Sequence, residues 1–148
     1  MGGTLPCIAF PAKPPMKLPV FLSAPHRAMF LAGTVQALVL MAFWSLEVGA
    51  RYAGLWPAVP WPLLDRVPSP ALHALLVSCG VFPFFMFGFI FTAGPRWQGA
   101  GELSPKHYLP AFLLLASGWI LVWLSLLVPP ALPVGLALVL AGWVAVAV

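Results

Sequence analysis

Charged side chains are scarce in this chain. Only 7% of its 148 residues are Asp, Glu, Lys or Arg, and just 3 of them are acidic, whereas a soluble domain carries about 25% charged residues. A surface with so little charge does not keep a protein of this size in solution, and 62% of the residues are hydrophobic. We therefore predict an integral membrane protein rather than a soluble domain.

Several signals of catalysis and binding are also missing. The sequence contains no glycine-rich nucleotide-binding loop, no Gly-x-Ser-x-Gly elbow and no pair of carboxylates suited to acid–base hydrolysis. Its two cysteines, Cys7 and Cys79, form no Cys-x-x-Cys motif. The net charge of +4 comes from basic residues beside apolar segments and not from a basic stripe, so no nucleic-acid partner is expected.

What the chain does contain is long apolar segments, which predict an all-α fold: a polytopic transmembrane helical bundle of about four spans. The spans are expected at about 28–50, 70–93, 108–128 and 134–148. Residues 1–25 are rich in proline, which blocks helices, and are predicted to form a cytoplasmic tail ahead of a transmembrane domain over 26–148. The last span has about 15 residues where roughly 20 are needed to cross a bilayer, so we expect it to be truncated.

The basic residues set the expected orientation. Five of the seven flank the start of the first span or lie in the 94–107 loop, and two, Arg51 and Arg66, lie between the first two spans. Because cytoplasmic loops of membrane proteins are rich in Lys and Arg, the N-terminus and the 94–107 loop are predicted to be cytoplasmic.

Three histidines, His26, His73 and His107, are candidate metal ligands, since neutral imidazole binds haem iron, copper and zinc. The predicted topology places His26 and His107 at one face of the membrane and His73 at the other. With about 30 Å of hydrocarbon between the faces, His73 is not expected to share a metal with the other two. Each histidine also has a simpler interpretation, as an interfacial residue hydrogen-bonded to headgroups or loop carbonyls.

Other side chains could also serve a cofactor. Cys79 and Met86 lie seven residues apart on one predicted span, and sulfur ligands suit Cu(I), although both residues also pack as ordinary hydrophobes. Arg96 ends the same span, where it could pair with an anionic group such as a haem propionate or simply anchor the helix end. Pro83 is expected to kink this helix and free a carbonyl, and Gln36 in the first span is costly in lipid without a partner.

The segment 88–97 (GFIFTAGPRW) resembles the Gly-Phe-x-x-Thr-Ala-x-Pro-x-Trp segment of the NnrS family. Residues 24–27, followed by Phe30 and Gly33, are similar to the entry to that family's first span. The resemblance covers about residues 20–125. It implies a polytopic bacterial membrane protein that contains haem and copper and is linked to the nitric oxide response.

The resemblance also implies site residues. The family's His-x-His-Glu-Met segment begins 15 residues before the Gly-Phe pair, which places its first histidine on His73 and its other named positions on the apolar residues 75–77. His26 and His73 are then candidate haem or metal ligands at separate sites, and Arg96 is a further cofactor-binding residue. Family members are longer, so this chain would correspond to an N-terminal part or to a reduced relative.

Taken with the resemblance, the sequence favours a haem-binding protein of the bacterial inner membrane, with copper as a further cofactor, that responds to or protects from nitric oxide. Catalysis is not required, because binding nitric oxide needs only an open axial position on iron. Two alternatives stay open: a small structural or assembly membrane subunit without cofactor, and a transporter fragment broken at Pro83. The expected partners are the lipid bilayer and, through Gly and Ala faces, a second copy or other membrane subunits.

Overall fold

The computed structural model describes residues 19–55 and 61–147, and the elements in those ranges are all helical. A short 3₁₀ turn, Val20–Leu22, precedes the helices. The helices are α1 (Pro25–Tyr52), α2 (Ser69–Leu75), α3 (Phe82–Trp97), α4 (Pro105–Leu124) and α5 (Ala131–Ala147). Residues Leu76–Val81 form a π-helical segment that joins α2 to α3, so the two helices make one continuous rod. The all-α prediction is confirmed in the described ranges, while most of the predicted tail, including Cys7, lies outside them.

Proline and glycine set the helix boundaries. Proline occupies the first turn of α1, α2 and α4, where its missing N–H costs no hydrogen bond and its fixed φ suits the helix. Gly54 and Gly99 follow α1 and α3 with φ of +69° and +68°, the left-handed conformation that closes many helices and that glycine adopts without strain.

Within residues 19–55 and 61–147, three helical stretches are long and apolar enough to cross a membrane: Pro25–Tyr52, Ser69–Trp97 and Pro105–Leu124. The helix α5 is equally apolar and has 17 residues. Large apolar side chains such as Leu38, Leu46 and Leu140 point outward and are about two-thirds exposed. An apolar outer surface of this kind suits lipid, in which every backbone group of a span must be paired within the helix.

The π-helical segment lies directly before Pro83. Proline offers no N–H to the carbonyl four residues earlier, that of Cys79, which lies within the π-helical segment Leu76–Val81. The helix-breaking effect expected of Pro83 is therefore visible as a local change in hydrogen-bond register, and such segments frequently occur at functional sites.

Two antiparallel pairs build the bundle. The rod of α2 and α3 runs back along α1, and α5 runs back along α4. The Tyr108 hydroxyl, in the first turn of α4, donates a hydrogen bond to the Leu22 carbonyl just before α1 and so links the two pairs. The buried core between these pairs includes Met29, Leu40, Phe43, Leu72, Phe84, Leu115, Trp119 and Val122. The bundle therefore has two ends, which we call the His26 end and the His73 end.

Glycines allow the closest helix contacts. A Cβ on Gly118 would lie 2.8 Å from the Gly135 carbonyl oxygen and 2.8 Å from the Val139 backbone nitrogen. A Cβ on Gly33 would lie 3.0 Å from Phe84. Gly33 thus allows a close contact between α1 and α3, and α4 and α5 approach each other backbone to backbone.

Candidate functional site

A groove of about 410 Å³ opens at the His26 end between α1 and α3. We call it the His26 groove. Its lining combines a histidine, a threonine, an arginine and three aromatic rings: His26, Phe30, Gly88, Phe89, Thr92, Ala93, Arg96 and Trp97. Apart from His26 and Phe30, every lining residue comes from the 88–97 segment, so the most distinctive motif of the sequence is the wall of this groove.

The helix ends place these residues. Pro25 starts α1 and puts His26 in its first turn, at the level where the last two turns of α3 pass in the opposite direction. Gly88 permits the close approach, because a Cβ there would lie 2.7 Å from the Phe30 ring and 2.9 Å from the Met29 Cβ. A larger residue at position 88 would push α1 away and widen the groove.

His26 is held by a short polar chain within this groove. Its Nδ1 lies 3.3 Å from Thr92 Oγ1, and the same hydroxyl donates to the Gly88 carbonyl oxygen at 2.8 Å. The Phe30 ring meets the imidazole edge-on, with ring centroids 6.2 Å apart. The half-buried imidazole is therefore fixed on its Nδ1 side by the polar part of the motif.

Arg96 lies at the rim of the same groove. Its Nη2 is 3.3 Å from Glu102 Oε1, and 66% of the Arg96 side chain and 86% of the Glu102 side chain are exposed. An ion pair as exposed as this contributes little, about 0–1 kcal/mol. The guanidinium is thus available to an anionic group that enters the groove.

His73 lies in different surroundings at the opposite end of the bundle. Its ring stacks on Trp44 with centroids 4.2 Å apart and an interplanar angle of 27°. Its Nδ1 is buried, and no residue in the described ranges hydrogen-bonds to it. Eighteen residues of α1 separate His26 from Trp44, a rise of about 27 Å, so the two candidate histidines belong to separate sites.

A polar cluster of Glu47, Arg51 and Ser69 lies beside His73, and the sequence does not predict it. Glu47 is only 3% exposed, and its Oε1 accepts a hydrogen bond from Arg51 Nη2 at 2.7 Å. The same nitrogen donates to Ser69 Oγ at 2.8 Å, which links α1 to α2. Glu47 is buried because the α1 face that bears Trp44 and Glu47 packs against α2.

The metal ligands suggested by the sequence are not brought together. Over residues 19–55 and 61–147, no group of three or more His, Cys, Asp or Glu side chains is placed to hold a metal ion. Cys79 is half-buried, while Met86 is 57% exposed on the outer surface. Copper therefore stays an expectation from the sequence.

A second, larger groove of about 590 Å³ runs between α1 and α4. We call it the α1–α4 groove. Its walls are almost entirely apolar and include Leu31, Val35, Phe84, Phe112, Trp119 and Leu127. Gln36, 6% exposed, lies at its wall and accepts a hydrogen bond from Trp123 Nε1 at 2.8 Å. The sequence predicts that Gln36 needs a hydrogen-bond partner, and in the structure that partner is Trp123.

Comparison with known proteins gives one match. No curated protein and no solved structure matches the chain. The family model described as NnrS protein matches residues 20–148, which is most of the chain and includes both histidine sites and the whole 88–97 segment. The resemblance seen in that segment is confirmed: the chain is a membrane protein of the NnrS family, a family tied to the nitric oxide response.

Proposed function

We propose that this protein binds haem in the His26 groove and acts in the response to, or protection from, nitric oxide. Its setting is the bacterial inner membrane, with the N-terminus in the cytoplasm. Basic residues are in excess at the His26 end, and this excess favours the cytoplasmic side for that end. The observation that carries the proposal is the joint presence of an oriented imidazole and a rim arginine in one groove.

The residues of the groove fit a haem by their chemistry. Imidazole is a common axial ligand of haem iron, and Arg96 has the planar donor geometry that pairs with carboxylates such as propionates. Phe30, Phe89 and Trp97 add apolar walls to the cavity of about 410 Å³, a size within the range of roughly 300–1,000 Å³ found for small-molecule sites.

Each residue has a distinct task in this proposal. His26 would hold the haem iron through its imidazole, Arg96 would pair with a propionate, and the aromatic rings would exclude water from the groove. Gly88 keeps α1 and α3 close enough to form both walls. Haem held there would supply iron that can bind nitric oxide.

His73 is not part of this haem site. Its ring stacks on Trp44, which lies a rise of about 27 Å along α1 from His26. The sequence makes both His26 and His73 candidates, whereas the surroundings of His26 are those that fit the cofactor.

One observation favours a second function, a structural or assembly subunit without cofactor. The α1–α4 groove is apolar along its length, and a neighbouring membrane component could fill it without any polar recognition. This alternative predicts no haem uptake at the His26 end.

The test is haem binding by the purified protein. Wild type and the variants His26→Ala, His73→Ala and His107→Ala are expressed with haem supply, purified in detergent and compared by their Soret absorbance. His107 is an exposed histidine near the same end of the bundle, so its variant controls for adventitious ligation. We expect loss of stoichiometric haem in His26→Ala only. Substoichiometric haem in wild type, unchanged in all three variants, would favour the subunit without cofactor.

A further inference from the structure

We propose that Thr92 is a positioning residue that fixes the tautomer of His26, with the proton on Nδ1 and the lone pair on Nε2. The tautomer follows from the hydrogen bonds alone. Its use in ligand binding rests on the proposed haem function.

The argument starts from the single proton of the Thr92 hydroxyl. Thr92 Oγ1 donates to the Gly88 carbonyl oxygen at 2.8 Å, the bond from a helical threonine to the carbonyl four residues earlier that is common for this residue type. A hydroxyl has one proton to donate and lone pairs to accept with. Once the proton is directed to Gly88, Thr92 can only accept a hydrogen bond from another group.

The other group is His26 Nδ1, 3.3 Å from Thr92 Oγ1. Since the hydroxyl can only accept, the imidazole must donate, and a neutral ring that donates from Nδ1 carries its lone pair on Nε2. Which ring nitrogen of a histidine is free to bind a metal is set by the hydrogen bond that the other nitrogen makes.

The opposite arrangement is disfavoured by the same distances. If Thr92 donated to His26, the proton would sit on Nε2 and the ring could not ligate through that atom. The hydroxyl would then give up the 2.8 Å bond to Gly88 for a 3.3 Å bond to the imidazole. N–H···O and O–H···O bonds weaken as they lengthen beyond about 3.0 Å, so the arrangement that keeps the shorter bond prevails.

This role explains why the motif has a hydroxyl at position 92. Thr92 is half-buried on the α3 face that meets the first turn of α1, one helical turn after Gly88 and one before Arg96. Gly88 supplies both the close approach of the helices and the carbonyl that takes the hydroxyl proton. Gly88 and Thr92 thus act together on the ring of His26.

The test reads the tautomer without haem. Protein labelled with ¹⁵N-histidine is purified in detergent without cofactor, at a pH well above the ordinary histidine pKa of about 6.5, and the His26 nitrogens are assigned by their loss in His26→Gln. We expect a protonated Nδ1 and an unprotonated Nε2 in wild type and in Thr92→Ser, which keeps the hydroxyl. Thr92→Val removes the hydroxyl at nearly constant shape and should lower the Nδ1-protonated population.

Controls make the outcome decisive. Thr34→Val is the matched control, because Thr34 is an exposed threonine of α1 far from His26, and its His26 signals should equal those of wild type. Thr92→Ala serves in place of Thr92→Val if the valine variant does not give monodisperse, helical protein. A wild-type His26 protonated on Nε2, or a tautomer unchanged by loss of the Thr92 hydroxyl, would overturn the proposal.

Haem titration then separates this inference from the proposed function. Loss of a partner that orients a metal-bound histidine typically costs about 10–100-fold in affinity, so the haem dissociation constant should rise by about that factor in Thr92→Val and be restored in Thr92→Ser. If wild type binds no haem, the proposed function fails while the tautomer result stands. If wild type binds haem and Thr92→Val changes neither tautomer nor affinity, the positioning role alone fails.

Discussion

Trp123 donates its indole N–H to Gln36 Oε1 at 2.8 Å, and this hydrogen bond joins α4 to α1 in the middle of the bundle. Gln36 Nε2 is buried and has no hydrogen-bond partner in the described ranges. It lies 2.7 Å from the position that a Cβ on Gly80 would take, within the π-helical segment. The Gln36 side chain therefore bonds α4 through its oxygen, while its nitrogen limits the size of a side chain at position 80.

Trp123→Phe should destabilise the protein, because it removes the donor to a buried acceptor. Polar contacts between membrane helices contribute about 0.6 kcal/mol on average and up to about 1.7 kcal/mol, and a loss in this range is expected in reversible unfolding by denaturing detergent. Trp97→Phe, at a residue that is 74% exposed, is the matched control. A double-mutant cycle with Gln36→Leu should show coupling of the same size, and zero coupling would contradict the bond.

Gly118→Ala should separate α4 from α5. The added Cβ would meet the Gly135 oxygen and the Val139 nitrogen at 2.8 Å, and backbone atoms cannot rotate away as a side chain does. Overpacking of this kind costs about 1–3 kcal/mol, measurable as a lower midpoint of thermal unfolding in detergent.

Gly49→Ala is the matched control for that variant, since nothing lies within 4 Å of a Cβ at this position of α1. It should leave the midpoint unchanged or raise it, because alanine favours a helix over glycine by up to about 1 kcal/mol. Equal effects of the two substitutions would mean that the contact between α4 and α5 is not close.

Glu47→Ala should weaken the attachment of α2 to α1. The variant leaves Arg51 without its 2.7 Å carboxylate partner at the site where it also bonds Ser69. A hydrogen bond to a charged group contributes about 1.5–3 kcal/mol, and its loss is read out by the free energy of unfolding. Glu102→Ala removes the exposed carboxylate of the other ion pair and should change stability far less. A larger loss of stability in Glu102→Ala than in Glu47→Ala would mean that Arg96–Glu102, and not Arg51–Glu47, is the buried pair.

These residues show what the sequence could and could not predict. Long apolar runs predict helices directly, and a glutamine within such a run requires a partner on physical grounds alone. The identity of that partner depends on which face of α4 turns toward α1, and α4 has no polar face to indicate it. The burial of Glu47 could not be predicted for the same reason. The helix α1 is apolar on nearly all sides, and such a pattern does not indicate which side faces inward.

The His26 groove was also predictable from the sequence only in part. The 88–97 segment is distinctive enough to be recognised, and Arg96 and His26 could each be proposed from residue type and position. The pairing of His26 with Thr92 spans 66 residues and depends on the register of α1 against α3. That register is set by side-chain packing around Gly33 and Gly88, which no local pattern encodes. Pro83 indicated a break, but not that the break takes the form of a π-helical segment.

The exposed pair of Arg96 and Glu102 should govern the affinity of the His26 groove for an anionic ligand. Arg96→Gln removes the cation at the rim, and Glu102→Gln removes the carboxylate that competes for it at 3.3 Å. An exposed pair contributes at most about 1 kcal/mol, or about fivefold in affinity. We expect the haem dissociation constant to rise by up to about that factor in Arg96→Gln and to fall in Glu102→Gln.

Lys106→Gln separates a local effect of Arg96 from one of overall charge. Lys106 is an exposed cation in the first turn of α4 and does not line the His26 groove, so its variant should bind haem as wild type does. Because exposed charges are screened over about 3 Å at 1 M salt, the difference between Arg96→Gln and wild type should shrink at that ionic strength. Equal losses in Arg96→Gln and Lys106→Gln would show that net charge, and not a contact at the rim, attracts the ligand.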